Sequence, residues 1–446
     1  MKTLCKKKGV GKLLAKGTAA VCASLAVLIL AGDVATAGSF NIPAGEIGLS
    51  LGNSKRFTGL RINTVDEDVD YVTGVNITLW RAGENTTANY TGISLGLVAP
   101  EGGDLTGIQM GGLGVAANGD LRGISLGLLG AGAGGEVHGL SFGFLGVGAG
   151  GDVLGLSLGG LGVGAGGDVI GISIGGLGVG SGGDVTGLTF GGLGVGAGGD
   201  LTGVSLGFLA TAAGGSVTGL SLASVVGAGD DLTGISGAFI IGSGGEVKGL
   251  SLGGIVASAK GLTGISSGVI VASGGNMIGI NNSLFATASG KDMTGINLSG
   301  LITAAGGDIR GINYGSFGVG AGGDLNGISI GGFGVASGSD INGVSIGGFG
   351  VAAAGDLKWL TVGGLGIGCA QDITGAAIAL CVVNNREGML TGLSASAYNR
   401  LGDVAGCSIG IVNIAEELHG VQFGLINIVK ENTGIKRILP GINWNF

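Results

Sequence analysis

Proline is almost missing from this sequence, with three residues in 446. That excludes a collagen triple helix, which needs abundant proline as well as glycine at strict three-residue spacing. Charged side chains are scarce, at 11% of residues, yet the mean hydropathy is positive. An intrinsically disordered chain needs low hydrophobicity, so that class is excluded too. Histidine occurs twice, at His138 and His419. Neither has the companions of a Ser/His/Asp arrangement, and no Cys-His or Glu-His spacing suits zinc. What the sequence has in quantity is glycine, 109 residues or about a quarter of the chain. A glycine-rich, proline-poor, apolar chain with regular punctuation points to close-packed β-structure.

The first 37 residues read as an export signal. Lys2, Lys6, Lys7, Lys8, Lys12 and Lys16 make a basic start, and an apolar stretch runs from Ala19 to Ala31. Ala35-Thr36-Ala37 then supplies the small residues of a cleavage site. Cys22 lies inside the apolar stretch without a good lipobox, which favours a soluble-type signal. The segment carries six lysines and one acid, Asp33, so 15 of the 21 basic and 28 of the 29 acidic residues would remain, a net charge of −13. Such a surface argues against nucleic acid as a partner, because phosphate backbones are bound by basic patches. Residues 201–229 hold no charged side chain, but glycine recurs throughout and Gly214-Gly215 interrupts them. A membrane-spanning helix is rejected there.

The rest of the chain is a repeat. A glycine preceded by a polar residue and followed by an aliphatic one falls every 16 residues from Gly107 to Gly219. The spacing is 15 through Gly234, Gly249, Gly264 and Gly279, then 16 again through Gly295, Gly311, Gly327 and Gly343. Trp359 takes the anchor place once, followed by Gly375 and Gly392, and the last anchors, Gly406, Gly420 and Gly434, are 14 apart. Gly59, Gly74 and Gly92 extend the series upstream, giving 25 anchors. In the unit Gly171–Thr186, GISIGGLGVGSGGDVT, aliphatic residues stand one, three, six and eight positions after the anchor. Each pair shows the period-two alternation of a strand. The phase slips by one at Gly175-Gly176, and a second break falls at Gly182-Gly183-Asp184, where glycine and Asp favour a turn. A flexible linker would not keep Leu, Ile and Val in register over hundreds of residues.

Two all-β folds satisfy this pattern. In the first, each unit is one coil of a β-solenoid or β-roll with about 16 residues per coil. Its aliphatic pairs point inward, and a polar column two residues after the anchor, from Ser94 and Gln109 to Ser345, lies outside with the glycines. Stacked small polar residues can hydrogen-bond along such a column. In the second, each unit is a strand of an up-and-down meander or transmembrane β-barrel, with Gly-Gly-Asp as the hairpin turn. The barrel requires a bulge at the same place in nearly every strand. In its favour, it separates the turn acids, among them Asp104, Asp120, Asp152, Asp168 and Asp184, which a parallel stack would place about 5 Å apart in one column. The solenoid is the preferred reading and the barrel the alternative.

No residues stand out as a catalytic, cofactor or metal site. The acid column offers about one carboxylate per unit, too few for the calcium sites of nonapeptide repeats, so solvated turn acids are expected. Cys369, Cys381 and Cys407 occupy places that other units fill with Ala, Leu, Ile or Val, and are expected to be small buried hydrophobes. Both histidines sit just before an anchor and are expected at surface turns. The expected organisation is a signal peptide at 1–37 and an N-terminal capping β region at 38–92. Glycine-rich repeats follow at 93–391, with 14-residue repeats and a terminal strand at 392–446.

The ends of the chain carry a resemblance. Gly420-Val421-Gln422-Phe423-Gly424-Leu425-Ile426-Asn427-Ile428 and Ile411-Val412-Asn413-Ile414-Ala415 resemble the GLQIGLINIA units of a bacterial surface-repeat protein family first named from leptospiral sequences. Thr58-Gly59-Leu60-Arg61-Ile62-Asn63 and the tail with Pro440, Asn443 and Phe446 are similar to the same family, over roughly 110 residues in all. The glycine-rich centre departs from it. The phase-slipped unit also resembles the β-roll heads of trimeric autotransporter adhesins, and a terminal aromatic, Phe446, resembles the last strand of outer-membrane barrels. The family resemblance implies a surface location. The expectation is therefore an exported structural or adhesive protein of the cell surface or outer membrane, without catalysis or cofactor. It would present a regular Gly/Ser face to a surface or matrix partner or to other copies of itself; the alternative is an outer-membrane pore or scaffold.

Overall fold

The computed structural model describes residues 38–83 and 85–445. The export signal expected over residues 1–37 lies outside the described residues, as does Phe446. The described chain is almost entirely strand, wound into parallel coils that number about 23, and the fold is a β-solenoid. It forms two compact units, one ending at Gly207 and one beginning at Phe208.

The first unit opens on an antiparallel pair, Ser39–Ile42 against Ile47–Gly52. From there each coil lies parallel on the one before, anchor on anchor: Gly48 on Gly59, Gly59 on Gly74, Gly74 on Gly92 and Gly92 on Gly107. A regular 16-residue coil has a long strand, such as Val169–Gly175, and a short one, Gly178–Ser181. Each pairs in parallel with its counterpart one coil on, Val185–Gly191 and Gly194–Ala197. Neighbouring strands of an up-and-down meander run antiparallel. These run parallel with a constant 16-residue register, and the barrel alternative is thereby excluded.

The second unit is built the same way, with local variations. The four coils anchored from Gly234 to Gly279 fuse both strand positions into continuous strands such as Leu232–Ser243 and Gly261–Ser273. The 16-residue coils from Met293–Ser299 onward separate them again. The unit closes with a short 3-10 turn, Gly434–Arg437, after which Ile438–Asn445 lies antiparallel on Glu417–Val429. Gly434 thus belongs to that turn and is not an anchor. Gly48 is an anchor that the spacing hides, because it precedes Gly59 by only 11 residues.

The faces of the long strand are the reverse of those expected from the sequence. Val169 and Val185, two residues before their anchors, are 1% and 0% exposed, and Ser173, two residues after, is 1% exposed. Ile172 and Ile174, assigned to the interior, stand outside at 42% and 40% exposure, and Leu177 at the corner reaches 51%. Only Val179, on the short strand, is buried as expected. The physical reason is space. Alternation runs unbroken through the anchor, so Val169, Gly171, Ser173 and Gly175 share one face. That face must meet the short strand a few residues later. A Cβ on Gly175 would lie 2.0 Å from the carbonyl oxygen of Gly178, where the chain folds back. The interior therefore takes one apolar side chain per long strand, Val, Leu, Ile or Met two residues before the anchor, then narrows through Ser to Gly at the corner, and the other aliphatic residues go outside. Apolar residues stand on protein surfaces routinely, whereas a buried serine column is the informative feature.

The anchor glycine sits inside the long strand and not at a bend. In the regular coils its φ lies near +120°, as at Gly171 (117°) and Gly187 (124°). A Cβ on Gly187 would stand 2.1 Å from the carbonyl oxygen of Gly171 in the coil below. Glycine is required there both by conformation and by the approach of the neighbouring backbone. Trp359 is the exception, held at φ 84° with its side chain 76% exposed.

Candidate functional surface

Four features of the coils each have a distinct chemistry. The first is the buried polar column two residues after the anchor. Where it holds asparagine it forms the hydrogen-bonded ladder expected of stacked amides, but indoors. Asn281 donates to Asn297 and Asn297 to Asn313, both at 2.9 Å. A second ladder on the short strands of the 14-residue coils joins Asn399, Asn413 and Asn427 at 2.7 Å per step. Where the column holds serine, the hydroxyls of Ser157, Ser173 and Ser205 have no partner among the described residues. Serine is serving there as a small side chain. The Gly/Ser face that the sequence suggests as the presented surface is corrected to an interior.

The second feature is the column of turn acids. They do stack in a parallel file, and the steps from one Asp to the next are bridged. The backbone N–H of Asp168 donates to Oδ1 of Asp152, and that of Asp184 to Oδ1 of Asp168, both at 2.7 Å. The same bond recurs in the second unit, from Asp356 to Asp340 at 2.8 Å. The N–H of Asp356, desolvation notwithstanding and with help from Lys358, holds the Asp340 carboxyl below its ordinary value. The Gly-Gly-Asp motif acquires a reason from this. A Cβ on Gly183 would lie 2.1 Å from Oδ1 of Asp168, so the glycine leaves room for the carboxylate of the preceding coil. The carboxylates clamp coil to coil, and the hydrogen bonds offset the mutual repulsion that the sequence counted against a parallel stack. Among the described residues, no group of three or more His, Cys, Asp or Glu is placed to hold a metal ion.

The third feature lies near the start of the first unit, where the inward position that later holds serine is occupied by Arg61, fully buried. Its Nη1 donates to Asp66 at 2.6 Å and to Asn76 at 2.8 Å, and its Nη2 to Asn53 at 2.7 Å. Burial alone would push the Asp66 carboxyl up. The Arg61 charge and hydrogen bonds from Thr78, Asn63 and Asn76 outweigh it and hold the carboxyl below its usual range. This network fills the first coils with hydrogen-bonded polar groups, leaving only the Arg61 Nε without a partner among the described residues, and gives Arg61 and Asp66 a structural role.

The outward columns form the fourth feature and the largest surface. In the ten coils of the first unit anchored from Gly59 to Gly203, the positions one and three after the anchor are all aliphatic, Met or Phe. Where Gly112 replaces the leucines found at Leu97 and Leu128, an open groove of about 640 Å³ runs along this face, lined by Leu95, Met110, Leu126 and Phe142. In the second unit Phe317, Phe333 and Phe349 stack at the corner with ring centroids 5.0 and 4.2 Å apart. His138 and His419 are exposed as expected, although on strands and not in turns. Of the cysteines, Cys369 is buried, and burial pushes its thiol up to about 11. Cys381 is exposed and Cys407 half-buried, which corrects the expectation that all three are core residues. Both fill outward places, so their correction follows from the reversal of faces. The signal for that reversal was in the repeat. The position two before the anchor is always apolar from Leu105 to Leu418, whereas the position three after it admits Gly237, Ser267 and Asn282. A comparison of the chain with protein-family models, curated proteins and solved structures finds no match.

Proposed function

We propose that this protein is an exported structural or adhesive repeat protein of the bacterial cell surface, acting through the outer face of its coils and without catalysis. The observation that carries the reading is the outward apolar columns of the first unit, which repeat the same chemistry in ten successive coils. A catalytic centre concentrates unlike groups at one point. A surface that repeats one chemistry at every step offers many equivalent contacts, as scaffolds and adhesins need. The basic-apolar-small order of residues 2–37 supports export, and the likeness of both chain ends to bacterial surface-repeat proteins supports the location. A net charge of −13 on the exported chain disfavours nucleic acid as a partner. The test is to treat intact source cells with proteinase K and follow the chain with an antibody against the coils. Loss of the full-length band while a cytoplasmic marker survives is the expected result. A chain that stays protected until the cells are lysed, with its N-terminal lysines still attached, overturns the reading.

A further inference from the structure

We infer that the outward face of the long strands in the first unit is an interface, and that its occupant is the same face of a second copy of this chain. The inference rests on the reading of the protein as a surface scaffold and names the partner of that surface.

Size is the first argument. The ten coils from Gly59 to Gly203 stack at about 4.8 Å, and the face from the anchor to the corner residue is about six residues wide at ~3.3 Å each, giving roughly 950 Å². The largest apolar patch on an ordinary monomer is about 300–600 Å². A stable pair needs about 800 Å² from each partner. This face exceeds both. Composition is the second argument. All its outward positions one and three after the anchor are apolar; Ile172, Ile174, Leu188 and Phe190 stand 40–45% exposed, and others such as Leu156 and Leu158 are half-buried against their neighbours. Charges are confined to the border. Thr106, Arg122, His138 and Thr186 stand just before their anchors, where two coils carry Leu154 and Ile170 instead, and the turn acids lie beyond them along the whole border. An apolar centre with a polar rim is the anatomy of a protein interface.

The third argument decides between occupants. The face is a set of ridges repeating at the coil spacing over its whole height. Only a surface with that same repeat can seat in every furrow at once, and a second copy has it by construction. Face-to-face packing of two sheets about 10 Å apart leaves the acid columns at the edge, in water. A lipid bilayer offers no such repeat. Insertion of the face would also carry a column of ionised carboxylates towards hydrocarbon and against anionic headgroups. Two identical faces meet as an isologous, two-fold pair, which closes and does not propagate.

The experiment uses the purified protein. Analytical ultracentrifugation at about 10 μM, where interfaces of this size are populated, should show a dimer. The double variant Ile172→Lys/Ile174→Lys should weaken association at least about 100-fold by placing two charges in a dry centre, with an unchanged far-ultraviolet spectrum and melting curve of the monomer. A second variant, Thr186→Lys on the rim, should leave the dimer intact. A wild-type protein that stays monomeric, or one whose dimer survives the double substitution, overturns the inference. So does flotation of the wild type, but not of the double variant, with phosphatidylcholine vesicles. None of these outcomes depends on where the cell places the protein, so the proteinase K test can fail or succeed independently.

Discussion

The placement of serine inside and leucine outside reverses the usual outcome of introducing a charge. Consider Ser173→Asp and Leu177→Asp, four residues apart in one coil. Ser173 is 1% exposed, and its in-register neighbours are Ser157 and Thr189. A carboxylate there has lost its water and faces small hydroxyls. Burial of this kind raises a carboxyl by about 3–5 pKa units, and at about 1.36 kcal/mol per unit the cost near neutral pH is roughly 4–7 kcal/mol. Leu177 is 51% exposed. Replacing it forfeits about half the burial of one leucine, about 1 kcal/mol, and leaves the new charge in water. The sign of the pH dependence separates charge from shape. The introduced carboxyl would bind its proton more tightly in the folded chain than in the unfolded one. The Ser173→Asp deficit should therefore be small below about pH 4, grow as the pH rises, and level off once the raised folded-state value is passed. Thermal melts by circular dichroism at pH 4 and pH 7 measure this, with Ser173→Ala as control. Ser173→Ala removes an unpaired buried hydroxyl and should be at least as stable as the parent. If Leu177→Asp melts at or below Ser173→Asp at pH 7, the assignment of faces is wrong.

Three further outcomes follow from individual sites. Trp359 holds a positive φ that the other anchors give to glycine, and its ring is mostly in solvent, so Trp359→Gly should stabilise the second unit by about 1 kcal/mol in denaturant titrations; a loss of stability refutes the strain argument. The Asp66 carboxyl is held low in the folded chain, so its contribution is present above the unfolded value of about 4 and is lost as the pH falls through the lowered one. Amide protection factors in the coils of Arg61 and Asn76, referred to the unstructured rate at each pH, should fall on that descent, and equal protection at pH 5 and pH 2 would contradict it. Cys381 should react with iodoacetamide in the native protein while Cys369, buried and with its thiol raised to about 11, does not; equal rates would place both on one side of the sheet.

Much of the fold is legible in the residues, and the part that is not has a definite cause. The 16-residue spacing, its contraction to 15 and then 14, and the Gly-Gly-Asp break describe parallel coils correctly because they depend on backbone length and turn chemistry. The assignment of faces depends instead on how much room a coil encloses, which no single unit states. Ile172 and Ile174 look like core by type, yet the carbonyl 2.0 Å from the Cβ position of Gly175 shows that the inward face closes to glycine at the corner, and its one large apolar side chain per coil comes from the position two before the anchor, as at Leu201 and Met277. The acids illustrate the same limit. Like charges in a column argue against stacking until the N–H of Asp184 is seen to donate to Asp168. The apolar outer surface, the candidate for function, was hidden by the same habit of reading hydrophobic as internal. Comparing units among themselves would have exposed it, since the tolerated Asn282 and Ser267 mark an outward position.

The stack itself is tested most directly by a disulfide across one coil step. Ile172 and Leu188 are in-register partners on parallel strands, with Cα atoms about 4.8 Å apart, within the Cα separation that disulfides span. In a chain whose three native cysteines outside the first 37 residues are replaced by serine or alanine, Ile172→Cys/Leu188→Cys should oxidise completely in the folded state, and Ile172→Cys/Leu193→Cys should not. Failure of the first pair to close, or closure of both with equal yield, would contradict the parallel coil.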